Sequence, residues 1–229
     1  MKRILLLTAV LLTAMVLQSQ NIFFPSKEGT QLTYENYDKK GKPTGKVMYT
    51  IKEVKKMGDD MDITYKIEIL DAKEEQQYID EVTIQKRGDQ MIFDMSKFLN
   101  KAAFPQQEGG AASAMEVTGN NMEMPLVPVP GMALPDASVQ ISMKMGFINM
   151  KMSANVTNRK VEAIEDIPVN GRNFKAFKLT SDVNSNVLGV KVNAKSAEWY
   201  AYNIGVVKSE SYNKKGELES SMELIDIRD

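Results

Sequence analysis

Apolar and polar residues alternate along most of the chain after its first twenty residues, and this period of two predicts β-strands. In residues 61–70, for example, Ile63, Tyr65 and Ile67 alternate with polar neighbours. Short turn signals such as Asn170-Gly171 separate the alternating runs. Strands joined by such short turns pair antiparallel, so we predict an all-β domain of about a dozen strands.

The most regular alternation lies in residues 139–156, around a Gly146-Phe147 turn with glycine in the first position, as a type II′ turn requires. A two-residue turn there places Met143 opposite Met150 and Ile141 opposite Met152. Nine apolar side chains would then share one face of the hairpin: Val139, Ile141, Met143, Met145, Ile148, Met150, Met152, Ala154 and Val156.

The segment 102–136 is rich in proline, glycine and methionine, with prolines at 125, 128, 130 and 135. Proline at this density does not suit a central strand. Long connections are often functional or mobile. We therefore expect either a lid over one face of the sheet or a disordered crossover, with a short helix over 94–103 leading into it.

The start of the chain is typical of a secretory signal peptide, because Lys2 and Arg3 precede an apolar run over 4–17 and Ser19 follows it. We expect residues 1–20 to be removed and residues 21–229 to form a single β domain in the periplasm or outside the cell. The sequence has no cysteine to carry a lipid, so a lipoprotein is not expected. The mature chain has no second apolar run long enough for a transmembrane segment.

Composition excludes much chemistry. The chain has no histidine and no cysteine, which removes most hydrolytic, redox and zinc mechanisms, and we expect no enzyme and no cofactor. Its 29 basic and 30 acidic residues form no basic stripe, so nucleic acid is not an expected partner. Carboxylates cluster at 59–62 and 162–166; solvated turns explain them better than a two-carboxylate hydrolase, which needs a sugar groove.

Methionine is unusually frequent, with eight residues between Met115 and Met152. Methionine fills irregular cores well, which is one interpretation. The second is a pliable cavity for an apolar ligand. The third is Cu(I) capture by thioethers, for which the chain offers no histidine or cysteine.

Trp199-Tyr200-Ala201-Tyr202 is the densest aromatic cluster, and alternation places Trp199 and Tyr200 on opposite faces of one strand. A core tryptophan with outward tyrosines is one interpretation. The other is that the cluster forms an aromatic wall of a ligand groove.

Four stretches together resemble the TapB-like family of secreted bacterial proteins, which is related to a domain family of unknown function. They lie at 129–137, 158–162, 169–174 and 198–210, within a match over about 34–224. The chain departs from the family at two places. The family often has a cysteine shortly after the phenylalanine of the third stretch, where this chain has Lys175 and Ala176, and it often has a glycine where this chain has Asn203. The resemblance implies a curved antiparallel sheet forming an open or partly closed barrel, similar to the half-barrels of periplasmic lipoprotein carriers. It brings no catalytic residues.

Our leading hypothesis is a non-enzymatic protein that binds an apolar small molecule or lipid. The candidate ligand-binding residues are Ile141, Met143, Met145, Met150, Met152 and Trp199. The alternative is a structural or interaction protein of the cell envelope, with an envelope protein as partner and a fully packed core. An empty volume on the concave side of the sheet would favour the first hypothesis.

Overall fold

The structure is a computed structural model that describes residues 22–97, 115–145, 148–187 and 189–229. The expected signal peptide at 1–20 lies outside these residues. The described residues form thirteen strands, all paired antiparallel. The strands are β1 (Gln31–Asp38), β2 (Pro43–Met57), β3 (Asp60–Asp71), β4 (Gln76–Arg87), β5 (Gln90–Phe93), β6 (Met115–Asn120), β7 (Met122–Pro125), β8 (Ala137–Met145), β9 (Ile148–Val169), β10 (Arg172–Val187), β11 (Val190–Ala201), β12 (Gly205–Tyr212) and β13 (Leu218–Arg228).

All thirteen strands belong to one sheet, which forms a nearly closed barrel and confirms the predicted fold class. The order is β6-β8-β9-β10-β11-β12-β13-β1-β2-β3-β4-β5-β7. The two edge strands, β6 and β7, are consecutive in the chain and only Asn121 lies between them. One extended segment therefore pairs with β8 through its first half and with β5 through its second half, which brings the two edges of the sheet together.

Irregular register explains why the sheet curls. Seven of the twelve strand pairings contain a bulge or a register shift, including those of β1 with both of its neighbours. A bulge bends its strand and increases the local twist. Repeated around the sheet, these bends turn a flat ribbon of strands into a barrel.

The proline-rich segment contributes more regular structure than the sequence indicates. β6 and β7 lie inside 102–136, but as edge strands, and Pro125 is the last residue of β7, where a missing N–H is tolerated. Residues 126–136 then run along β9. The Gly131 N–H donates to the Val161 carbonyl at 2.7 Å, and the Leu134 N–H donates to the Arg159 carbonyl at 2.9 Å. Of the expected helix at 94–103, the described part contains a 3-10 turn at Met95–Lys97; the rest lies outside the described residues.

The predicted β8–β9 hairpin is confirmed in its register, with Met143 opposite Met150 and Ile141 opposite Met152. Its turn, Gly146-Phe147, lies outside the described residues, as do the side chains of Met145 and Met150. The described apolar side chains pack together as a unit that we name the hairpin cluster. It consists of Met95, Ala137, Val139, Ile141, Met143, Met152 and Val156, each at most 9% exposed.

Candidate functional site

A cavity of about 350 Å³ lies inside the barrel, lined mainly by side chains of β1 to β5 and β11 to β13. We name it the tyrosine cavity, because four of its lining side chains are tyrosines. The lining consists of Phe24, Leu32, Tyr34, Tyr49, Tyr65, Ile67, Val82, Ile84, Phe93, Met95, Met122, Glu198, Tyr200, Val206 and Met222. Most of this surface is apolar or aromatic, and Glu198 is its only acidic side chain.

Three of the four tyrosines come from neighbouring strands and form a ladder. Tyr34 lies on β1, Tyr49 on β2 and Tyr65 on β3. The rings of Tyr34 and Tyr49 meet edge to face with centroids 5.6 Å apart, and those of Tyr49 and Tyr65 do so at 6.3 Å. Such contacts hold aromatic rings in a defined orientation. This part of the cavity wall is therefore built from rigid groups, whereas Met95, Met122 and Met222 supply flexible side chains elsewhere in the lining.

The tyrosine hydroxyls differ in their hydrogen bonds. Tyr65 donates to the Pro25 carbonyl at 3.3 Å, and Tyr200 donates to Glu198 Oε2 at 2.9 Å. Within the described residues, the hydroxyls of Tyr34 and Tyr49 form no hydrogen bond to protein, and both side chains line the cavity. Burial raises the pKa of both phenols, so each keeps its proton and can donate it to a hydrogen bond.

Glu198 is a half-buried carboxyl group at the wall of the cavity. Burial raises its pKa, while the hydrogen bond from Tyr200 and the positive charge of Arg159 act in the opposite direction. Arg159 is itself only 6% exposed, and its Nη1 donates to the Pro135 carbonyl at 2.6 Å. Arg159 therefore places one positive charge behind the cavity, near Glu198, Asp136 and Glu123, and the proline-rich segment helps to hold that charge in place.

The N-terminal segment enters the barrel beside the cavity. Phe23 is fully buried; it stacks on Tyr202 with centroids 4.9 Å apart and meets Tyr200 edge to face. Phe24 lines the cavity itself. Gly205 allows this approach, because a Cβ at its φ of +98° would lie 3.0 Å from the Phe24 ring. The first residues after the expected signal peptide thus form part of the cavity wall.

The predicted ligand-binding residues that can be described lie away from this cavity. Ile141, Met143 and Met152 are buried in the hairpin cluster, and their side chains pack against one another rather than around an open space. The strand positions of Met145 and Met150 belong to the same hairpin. Ligand binding by these residues stays a prediction, and Ile141, Met143 and Met152 do not line the tyrosine cavity.

Trp199 is buried on the face of β11 opposite Glu198 and Tyr200. Its Nε1 donates to Glu165 at 2.5 Å, and the ammonium groups of Lys178 and Lys208 lie 4.9 and 5.7 Å from its ring centroid. These contacts give it a packing role. The interpretation with outward tyrosines is wrong for Tyr200, which is 7% exposed and lines the cavity.

Tyr34, Tyr49 and Glu198 are the polar residues that sequence reasoning missed. Each lies in a run of alternating apolar and polar residues, and that alternation predicted that it belongs to a strand. Their meeting depends on the register between β11, β12, β13, β1 and β2, which a single sequence does not reveal. The sequence pattern placed the candidate ligand site at the methionine-rich hairpin instead.

The other candidate chemistry gains no support in the described part of the chain. No group of three or more acidic residues there could hold a metal ion. Asp62 forms an ion pair with Arg87 at 2.5 Å, and Glu162 forms one with Lys160 at 2.8 Å. These carboxylates are thus ordinary surface ion-pair partners. No helix in the described ranges is long and apolar enough to cross a membrane.

Two solved structures share this barrel architecture. One is a protein from Bacteroides fragilis NCTC 9343 with a YmcC-like fold whose export is inferred; it is 22% identical, with a TM-score of 0.73 over 91% of this chain and 100% of that one. The other is an inferred lipoprotein from Parabacteroides distasonis ATCC 8503, 19% identical, with a TM-score of 0.73 over 91% of this chain and 99% of that one. At these identities the likeness shows a common fold.

The class is therefore an all-β, barrel-like protein with the YmcC-like architecture. Residues 27–224 match the DUF3108-like family, and the chain belongs to that family. The more specific TapB-like resemblance is not confirmed. No curated protein matches the chain.

Proposed function

We propose that the protein is a non-enzymatic carrier that binds one apolar or lipid-like molecule in the tyrosine cavity. The observation that carries the proposal is the cavity itself: about 350 Å³ lined mostly by apolar and aromatic side chains. Ligand pockets usually have volumes of roughly 300–1,000 Å³, with an apolar lining and a few placed polar groups. The volume is at the low end of that range, so a single chain fits better than a lipid with several chains.

Export from the cytoplasm belongs to the same proposal. It is supported by the basic and apolar start of the sequence and by the inferred export of the protein from Bacteroides fragilis. A lipid anchor is attached to a cysteine, and this sequence has none. The protein from Parabacteroides distasonis, in contrast, is an inferred lipoprotein. In an aqueous compartment outside the cytoplasm, an apolar molecule needs a protein to shield it from water.

The alternative, an interaction protein with a filled core, is disfavoured by the open volume. One observation still points towards a partner protein: Val127 and Val129 in the proline-rich segment are 72% and 52% exposed. Two exposed valines make a small patch, and single exposed apolar side chains are common on monomers. The carrier proposal therefore rests on the stronger observation.

The experiment is mass spectrometry of organic extracts from the natively purified protein, together with displacement of the neutral dye N-phenyl-1-naphthylamine. We expect one apolar compound at close to one molecule per chain, and saturable dye binding. Val82→Phe would fill the cavity from its wall and should abolish dye binding, while Ile79→Phe on an exposed position of the same strand should not. Empty extracts and no saturable dye binding would refute the carrier proposal.

A further inference from the structure

Within the proposed function, on which this inference rests, we infer that the ligand is an uncharged single-chain amphiphile whose head carries a hydroxyl group. The inference rests on the polar groups at the cavity wall, Tyr34, Tyr49 and Glu198. They come from three strands and face a space that is otherwise apolar.

The first step is that the cavity offers hydrogen-bond donors that nothing in the described structure uses. Tyr34 is buried, Tyr49 is half-buried and both line the cavity, and no described group accepts a hydrogen bond from either hydroxyl. A phenol O–H that opens onto a cavity without a protein acceptor is free to donate to water or to a ligand. A ligand oxygen placed between them would satisfy both.

The second step is that the cavity also offers an acceptor. Glu198 receives a hydrogen bond from Tyr200 on Oε2, and no described group donates to its Oε1. Tyr49 is close enough to Glu198 for the carboxyl charge to raise its pKa, so the donor and acceptor groups lie in one region. A hydroxyl group can accept from the phenols and donate to the carboxyl group at the same time.

The third step concerns charge. Burial disfavours the ionised form of Glu198, and Arg159 already supplies a positive charge nearby. A carboxylate head would lose its hydration in this poorly solvated space, and it would also meet a like charge wherever Glu198 is ionised. An ammonium head would have to compete with Arg159 and lose its own hydration. A neutral head avoids both costs, and a hydroxyl fits Glu198 whether or not the carboxyl group is protonated.

The test compares four ligands built on a ten-carbon chain by displacement of N-phenyl-1-naphthylamine from the full mature protein at pH 7.5: 1-decanol, 1-methoxydecane, decanoate and decylammonium. We expect 1-decanol to bind about 3- to 10-fold more tightly than the ether, which cannot donate, because one buried hydrogen bond distinguishes them. Decanoate should bind more weakly than either neutral ligand.

Tyr34→Phe and Tyr49→Phe remove a hydroxyl and keep the ring, so each should weaken the binding of 1-decanol by about 3- to 10-fold. Tyr37→Phe is the matched control on the same strand, because its hydroxyl already donates to Glu35 at 2.7 Å and it does not line the cavity. It should leave all four affinities unchanged.

The outcomes separate this inference from the proposed function. Dye binding with equal affinity for all four heads would overturn the hydroxyl inference while supporting a carrier. Tightest binding of decanoate or decylammonium would overturn it in favour of a charged ligand. Absence of any dye or ligand binding would overturn the carrier proposal itself, and the hydroxyl inference with it.

Discussion

The hairpin cluster and the tyrosine cavity are both apolar regions of the same sheet and meet at Met95, but the first is tightly packed and the second is open. In the hairpin cluster, methionine and branched side chains interdigitate, and Ile141 is fully buried. In the cavity, edge-to-face tyrosine rings stand on a strongly curved wall and leave about 350 Å³ between them. Flexible thioether chains adapt to gaps, whereas rigid rings cannot collapse into one. Richness in apolar residues therefore does not by itself predict an open volume; the tyrosine ladder and the curl of the sheet contribute to this one.

The largest expected difference between the two regions is in the free energy of unfolding that is lost when an isoleucine is replaced by alanine. Ile141→Ala should lower the free energy of unfolding by about 2–5 kcal/mol, because it opens a hole in a packed cluster. Ile67→Ala, at the cavity wall, should cost only about 1 kcal/mol, because one side of this half-buried residue already lacks contacts. Urea unfolding measures both. Equal losses would mean that the cavity is as tightly packed as the hairpin.

The second prediction concerns the segment that joins the two edges of the barrel. At Gly119, φ is +143° and a Cβ would lie 2.1 Å from the Ser138 carbonyl oxygen, so Gly119→Ala must displace β6 from β8. We expect a loss of about 1–3 kcal/mol and faster hydrogen exchange in both strands. Gly131→Ala is the control with a positive φ but no atom within 4 Å, and it should cost less. An unchanged exchange rate in β8 would contradict the role of β6 in closing the sheet.

Replacing a valine by phenylalanine should destabilise the protein in the hairpin cluster and be tolerated at the cavity. Val139→Phe overfills the hairpin cluster and should destabilise the protein by about 1–3 kcal/mol. Val82→Phe projects into open volume, so it should be tolerated with a smaller change and should remove dye binding. Thermal unfolding and dye titration of the two variants give the comparison. Strong destabilisation by Val82→Phe would show that the cavity has no room for the ring.

The smallest expected effect is the pH dependence that arises from Glu198. Burial raises the pKa of its carboxyl group above 4.5, so the folded state holds this proton more tightly than the unfolded state does. Its contribution to stability is therefore complete below pH 4.5 and is lost as the pH rises through the folded pKa. Glu198→Gln removes this loss, so the stability of the variant relative to the wild type should increase from pH 4 to pH 8 in urea unfolding.

Glu162→Gln is the control with the opposite sign. The hydrogen bond from Lys160 lowers the pKa of this exposed carboxyl group, so its contribution is present above the usual pKa and is lost as the pH falls. Relative to the wild type, this variant should become slightly less stable as the pH rises. A parallel pH response of the two variants would contradict the burial of Glu198 at the cavity.

Local sequence patterns predicted much of the fold. The alternation and turn residues of the hairpin predicted the pairing of Met143 with Met150, because a two-residue turn sets the register of its own strands. Prolines predicted that the segment around β7 could not be central in the sheet, and β7 is an edge strand. The pairing of β6 with β8 and of β7 with β5 was not predictable, because it depends on how far the whole sheet curls.

The candidate site shows the same division. Alternation determined that Tyr34, Tyr49 and Glu198 each lie on a defined face of a strand, since side chains reverse direction at every residue. Only the tertiary structure decided that these faces surround one open volume while the methionine-rich face is filled. The physical reason is that curvature accumulates from bulges around the sheet, and β1 pairs with β13 from the other end of the domain. No local stretch of sequence determines the total curvature of the sheet.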